Sequence, residues 1–178
     1  MIKKCKEFIK KHNELSLALF KLIIFGLALF ISFGVILGIK TMNADYMRPG
    51  LKYRDNVVYY KFEKNYILRD MVVYEYNGEI YFGRVVGMPG EKIKTNENGN
   101  IYQNDNLVYE ENINYTSKRS MEVEVTLGDN EYFILCDDRS HNFDSRQFGA
   151  ITKDKFKGIV IMILRRYEIR SGKRLYIK

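Results

Sequence analysis

The chain has 178 residues, 46% of them hydrophobic, with 29 Lys and Arg against 22 Asp and Glu for a formal net charge of +7. That length suits one compact domain and excludes a large multi-domain enzyme. The absence of low-complexity tracts excludes wholesale disorder, and two cysteines, Cys5 and Cys136, exclude a disulfide-stapled fold or a thiol-rich zinc site.

The excess charge is concentrated at one end. Residues 1–21 hold Lys3, Lys4, Lys6, Lys10, Lys11 and Lys21 against Glu7 and Glu14, leaving +3 for the rest. Placed before an apolar run, this asymmetry reads as a membrane-topology signal and argues against a nucleic-acid partner. The short clusters Arg165-Arg166 and Lys173-Arg174 read as a solvated strand edge. From Leu22 to Ile39 the chain carries no charge. As a helix this run covers about 27 Å, near the hydrocarbon thickness of a bilayer, and it is apolar on every face. It is longer than a signal-peptide core, and no small-x-small cleavage site follows. The expectation is a cytoplasmic basic segment at 1–21, a retained single-pass anchor at 22–39, and an extracellular domain at 40–178. Cys5 and Cys136 then face different compartments and cannot pair.

Beyond residue 50, segments rich in Val, Ile, Tyr and Phe recur between turn residues. Residues 56–62, 70–76 and 79–88 read as strands, with Asn77-Gly78 a type I′ hairpin signal. Pro89-Gly90 ends the third strand. Asn98-Gly99 turns into residues 100–110, read as one segment. Residues 121–127 alternate strictly, and Gly128-Asp129-Asn130 turns into 131–136. Residues 158–164 are apolar on both faces, which predicts a central, buried strand. Tyr53, Tyr59, Tyr60, Tyr74 and Tyr76 read as ordinary sheet residues. The predicted class is mainly antiparallel β behind one transmembrane helix.

Four segments in order resemble the conserved boxes of the type I signal peptidases, an anchored, extracytoplasmic β family that cleaves signal peptides with a Ser nucleophile and a Lys base. The family's Ser-Met-x-Pro-Thr-Leu is matched by Tyr46-Met47-Arg48-Pro49-Gly50-Leu51. Its Gly-Asp-(Ile/Val)-Val-Val-Phe is matched by Arg69-Asp70-Met71-Val72-Val73-Tyr74. Its lysine box is matched by Gly83-Arg84-Val85-Val86-Gly87-Met88-Pro89-Gly90-Glu91. The last box is matched by Tyr132 through Arg139, followed by Asp144-Ser145-Arg146 and Gly149.

The departures fall on the chemistry. The serine position is Tyr46, or Asp45 if the loop shifts by one residue, and the lysine position is Gly83. A dyad needs a hydroxyl nucleophile beside an amine of lowered pKa. Glycine accepts no proton, and a phenol without an adjacent base does not replace a serine alkoxide. Other residues offer poor replacements. Ser120-Met121 lacks the following Pro, and Lys92 lies beyond the Pro-Gly turn. His141, Asp144 and Ser145 are the residue types of a triad but fall in a box that is structural in the family. Cys136 reads as a buried, inert thiol. Asp137, Asp138 and Asp144 read as bracing the loop through Arg139, Arg146 and backbone donors, with Ser145 in the same role. No cofactor or metal is expected.

The resemblance then implies a binder that does not cut. Signal-peptidase-like proteins lacking the dyad occur in Gram-positive pilus gene clusters, with Gly at the lysine position. They assist a sortase in polymerising pilin. The expected partners are therefore a pilin segment and a sortase. The groove candidates are Asp45, Tyr46, Met47, Pro49, Gly83 and Arg84, with a void or polar opening where the lysine stood and an acidic group at Asp45 to receive a lysine or amide. The alternative is an active signal peptidase with a non-standard catalytic arrangement.

Overall fold

The computed structural model describes residues 2–109 and 121–165, the side chains of 2–13 and 15 excepted. Cys5, Ser120, Arg166, Lys173 and Arg174 therefore lie outside the described side chains. The chain divides into two units, Met1–Leu37 and Gly38–Lys178.

The first unit is one helix, α1, Ile2–Ile36. Its segment Ser16–Ile36 is long and apolar enough to cross a membrane, and none of it is buried within the protein. Ser32, inside that segment, donates its hydroxyl to Ala28 O at 2.8 Å, which satisfies the polar group without leaving the helix. The helix stops before the apolar run does. Leu37–Thr41 is strand β1, so residues 37–39 are extended, not helical. Hydropathy cannot mark this boundary because the run stays apolar across it. Within β1, Gly38 lets the backbone pass close to the Tyr59 ring, which a Cβ would strike.

In the second unit a seven-stranded sheet runs in the order β1, β2 (Asn56–Tyr60), β11 (Phe156–Leu164), β3 (Met71–Tyr76), β4 (Glu79–Gly87), β9 (Glu131–Leu135), β10 (Ile151–Thr152). The pairs described are antiparallel. A four-stranded sheet, β7 (Asn106–Val108), β6 (Ile101–Gln103), β5 (Lys92–Thr95), β8 (Val123–Thr126), is inserted in sequence between β4 and β9.

Turn chemistry sets the hairpins. Asn77 (φ 50°) and Gly78 (φ 83°) form the positive-φ pair that a type I′ turn requires. Asn104 (φ 49°) and Asp105 (φ 65°) form a second such pair, which joins β6 to β7 where the sequence reads as one segment.

Alternation divides the large sheet between two cores. Val73 and Phe82 face Met42, Tyr46, Met47, Leu51 and Val57. Val72, Tyr74 and Val85 face Tyr66, Tyr132, Ile134 and Ile151. Strand β11 is central, as its composition predicts, but its second half is not buried: Ile161, Met162, Ile163 and Leu164 are 38–54% exposed. The register explains this. Strand β3 pairs with β11 only as far as Ile159, whereas β2 follows it to Leu164.

Candidate functional site

The site is built where β4 leaves β9. Strand β9 pairs with β4 at Arg84, Val85 and Gly87 and then turns away at Cys136. The loop after β1 approaches β4 from that open side. It is short and heavily tied: Leu51 N donates to Met47 O at 2.7 Å, and Asp138 N donates to Tyr46 O at 3.1 Å.

Tyr46 is the member of the Asp45-Tyr46 pair that reaches β4. It is buried, and its hydroxyl accepts the Phe82 N–H at 3.2 Å. Burial pushes its phenol well above the ordinary tyrosine pKa, opposed only in part by that N–H. No phenolate forms here near neutral pH. Asp45 points outward. Its carboxylate accepts from the Tyr53 N–H at 2.9 Å and from Arg48 Nε at 2.8 Å. The Tyr53 amide first, and Arg48 after it, hold that carboxyl below its usual range.

Gly83 leaves no opening. It is buried, and a Cβ at this position would collide with the Cγ2 methyl of Ile134 and lie 3.3 Å from Cε1 of Tyr74. Both belong to the second core. The stem of a lysine at 83 would start inside packed hydrocarbon, so the void expected from the loss of the amine does not exist. Tyr74, read as a sheet tyrosine, is wholly buried and donates its hydroxyl to Phe143 O at 3.3 Å. Strand parity pointed to this, since Tyr74 shares a face with Val72.

The other groove candidates divide by exposure. Met47 is fully buried, Pro49 is exposed, and Arg84 is half-buried. Arg84 makes a two-pronged contact with Asp137, Nε to Oδ1 and Nη2 to Oδ2, both 2.7 Å. Asp137 is thus held by Arg84 on the neighbouring strand.

The loop after β9 is a buried polar knot around a short helix, α2 (Ser145–Phe148). Asp144 caps α2 and accepts from Arg146 Nε at 2.9 Å and Nη2 at 2.6 Å, and from the Cys136 N–H at 2.9 Å. Ser145 Oγ accepts the Ile134 N–H at 2.9 Å. Arg146 also donates to Arg139 O at 2.8 Å and to His141 O. Arg139, fully buried, donates to Cys136 O. Asp138 Oδ1 accepts from Ser140 N at 3.0 Å and Oγ at 2.6 Å.

No triad assembles among these residues. Ser145 is buried and engaged with β9, whereas His141 sits at the surface with Nδ1 3.4 Å from Asp138. Cys136 is fully buried, and burial, with the Asp144 carboxylate adding to it, pushes its thiol up and away from reactivity. Lys92 pairs with Glu124 at 2.8 Å on the second sheet. Arg165 is not a solvated edge residue: its guanidinium clasps buried Asp55 at 2.7 Å and donates to Gly50 O at 3.0 Å. That tether, joining β11 to the loop carrying Tyr46, was hidden because its ends lie 110 residues apart. Among the described residues no cluster of His, Cys, Asp and Glu could hold a metal ion.

The chain is 30% identical over 142 residues to a protein named Inactive signal peptidase IA from Staphylococcus aureus strain N315, covering 74% of this chain and 80% of that one. It is 25% identical over 142 residues to a probable signal peptidase I-2 from Synechocystis, covering 68% of this chain and 63%, under two thirds, of that protein. A solved signal peptidase I from Enterococcus faecalis is 22% identical, with a TM-score of 0.47 over 55% of this chain and 98% of that one. Residues 14–165 match the family described as signal peptidase, peptidase S26, and the chain belongs to that family.

Proposed function

We propose that this protein is a membrane-anchored signal-peptidase relative that binds a polypeptide without cleaving it. The observation that carries the reading is the filled position at Gly83. Where the family resemblance expects a lysine amine beside a nucleophile, Ile134 and Tyr74 occupy the space, and the adjacent hydroxyl belongs to a buried phenol with no base against it. That several relatives are named inactive supports the same reading. On this reading α1 anchors the protein with its lysine-rich end in the cytoplasm and the β unit outside the cell. The partner is a pilin segment handled together with a sortase, and the protein serves as chaperone or scaffold. Asp45 and Pro49 form the rim of the groove with half-buried Arg84 beside them, over a floor of Tyr46, Met47 and Gly83.

The test has two arms. The full-length protein in detergent should leave a signal-peptide-bearing substrate intact; a processed product would return the chain to the active peptidases. In cells, deletion should reduce pilus polymer, and Asp45→Ala and Tyr46→Ala should each do so with the fold retained. Unchanged pilus ladders in both variants would remove the groove from the role.

A further inference from the structure

At the Asn77-Gly78 end of the β3–β4 hairpin, four aromatic rings wall a pocket of about 330 Å³: Tyr76, Tyr81, Phe143 and Phe148. The rings hold one another. Tyr76 stacks on Phe148 at 4.1 Å and 13°, and Tyr81 meets Phe148 at 5.1 Å and 60°. Phe143 leaves 48% of its surface exposed. Glu79, exposed, completes the wall with Asn77 and Gln147, so the lining carries one carboxylate and no cation.

The strand beside the pocket is open. Strand β9 pairs with β4 from Arg84 onward and leaves the stretch before it uncovered. The Phe82 N–H points away from β3 to Tyr46, so Val73↔Phe82 is a non-hydrogen-bonded pair. By alternation Glu75↔Ile80 is one too, and Ile80 turns its N–H and C=O outward. An extended segment can add to that edge at Ile80, whereas at Phe82 it meets a donor already taken by the Tyr46 hydroxyl.

We infer that this pocket receives a basic side chain, lysine or arginine, from an extended segment lying on the outer edge of β4. The inference rests on the binding role proposed above and names the chemistry of the partner. Ring faces attract a cation and accept its aliphatic stem, and a carboxylate at the rim supplies the counter-charge. A small apolar side chain would leave both unused.

The experiment uses full-length protein in detergent micelles and three fluorescent peptides, identical except for Lys, norleucine or Glu at the central position. Polarisation should give the order Lys, norleucine, Glu, with the Lys peptide about tenfold tighter than norleucine at low salt. Glu79→Gln should erase most of that preference while leaving norleucine binding unchanged. Phe143→Ala, at an exposed ring, should weaken the Lys and norleucine peptides together. Equal affinity for Lys and norleucine, a preference that survives Glu79→Gln, or no binding by any peptide would each overturn the inference. Failure here without substrate cleavage removes only the pocket. Cleavage of a signal-peptide substrate removes the non-cutting role, whatever the pocket prefers.

Discussion

Two buried neighbourhoods sit side by side at the β4–β9 junction, and both fall in segments that resemble family boxes. Around Asp144 and Arg146, buried polar groups answer one another: a carboxylate and a guanidinium whose side chains are 0% and 1% exposed, the amides of Ile134 and Cys136, and two loop carbonyls. Around Gly83 the burial is just as deep but hydrocarbon fills it, with the Tyr46 hydroxyl on one backbone donor. The polar knot cannot be traded for anything simpler, because the N–H groups of Ile134 and Cys136 would lose their acceptors and a guanidinium would lose its counter-charge. The dyad positions carry no such obligation. A nucleophile and its base can be lost if the volume is refilled, and Ile134, Tyr74 and Tyr46 refill it.

The contrast is sharpest in the knot. Arg146→Ala should cost about 3–5 kcal/mol, since it strands the Asp144 carboxylate in the interior; urea unfolding of the β unit in the full-length protein would measure it. A cost within about 0.5 kcal/mol would mean that the knot is decorative. Gly83→Lys comes next. It should destabilise by about 3 kcal/mol, from overpacking against Ile134 together with burial of an amine. Adding Ile134→Ala should recover part of that loss. Strict additivity of the two changes would break the claim that Ile134 occupies the lysine site.

Acid should act on the Arg165 tether. Burial raises the Asp55 carboxyl, but the Arg165 hydrogen bonds and the Lys52 amide outweigh it and hold its pKa below the ordinary value of 3.8. A depressed carboxylate stabilises the fold above its unfolded pKa, and that contribution fades as the pH falls through the folded value. Stability should therefore drop below about pH 4 in the native protein, and less so in Asp55→Asn. Identical acid limbs would show that the tether contributes nothing. The smallest effect belongs to Tyr46→Phe. Removing the acceptor for the Phe82 N–H should cost about 1 kcal/mol in thermal unfolding and leave the fold unchanged.

Much of this was legible in the chain. The strand segments and the Asn77-Gly78 turn follow from period-two alternation and positive-φ chemistry, and Tyr46 and Gly83 stand out against the boxes they resemble. What escaped is non-local. Nothing near Gly83 in sequence announces that Ile134, some fifty residues on, fills its hollow. The Arg84–Asp137 contact and the Asp55–Arg165 tether join strands whose adjacency only the sheet order reveals. The exposure of Ile161–Leu164 depends on where β3 stops, which composition cannot encode. The Asn104-Asp105 turn was within reach but lacked the glycine that usually marks one.

The most direct measurement is cleavage of a signal-peptide-bearing substrate by three full-length proteins in detergent: the native chain, Tyr46→Ser with Gly83→Lys, and that pair with Ile134→Ala. The account predicts an intact substrate with the first two and product only with the third, where the space for the lysine stem is reopened. Product from the native chain would contradict it outright, and product from the double variant equal to that from the triple would show that Ile134 does not close the site.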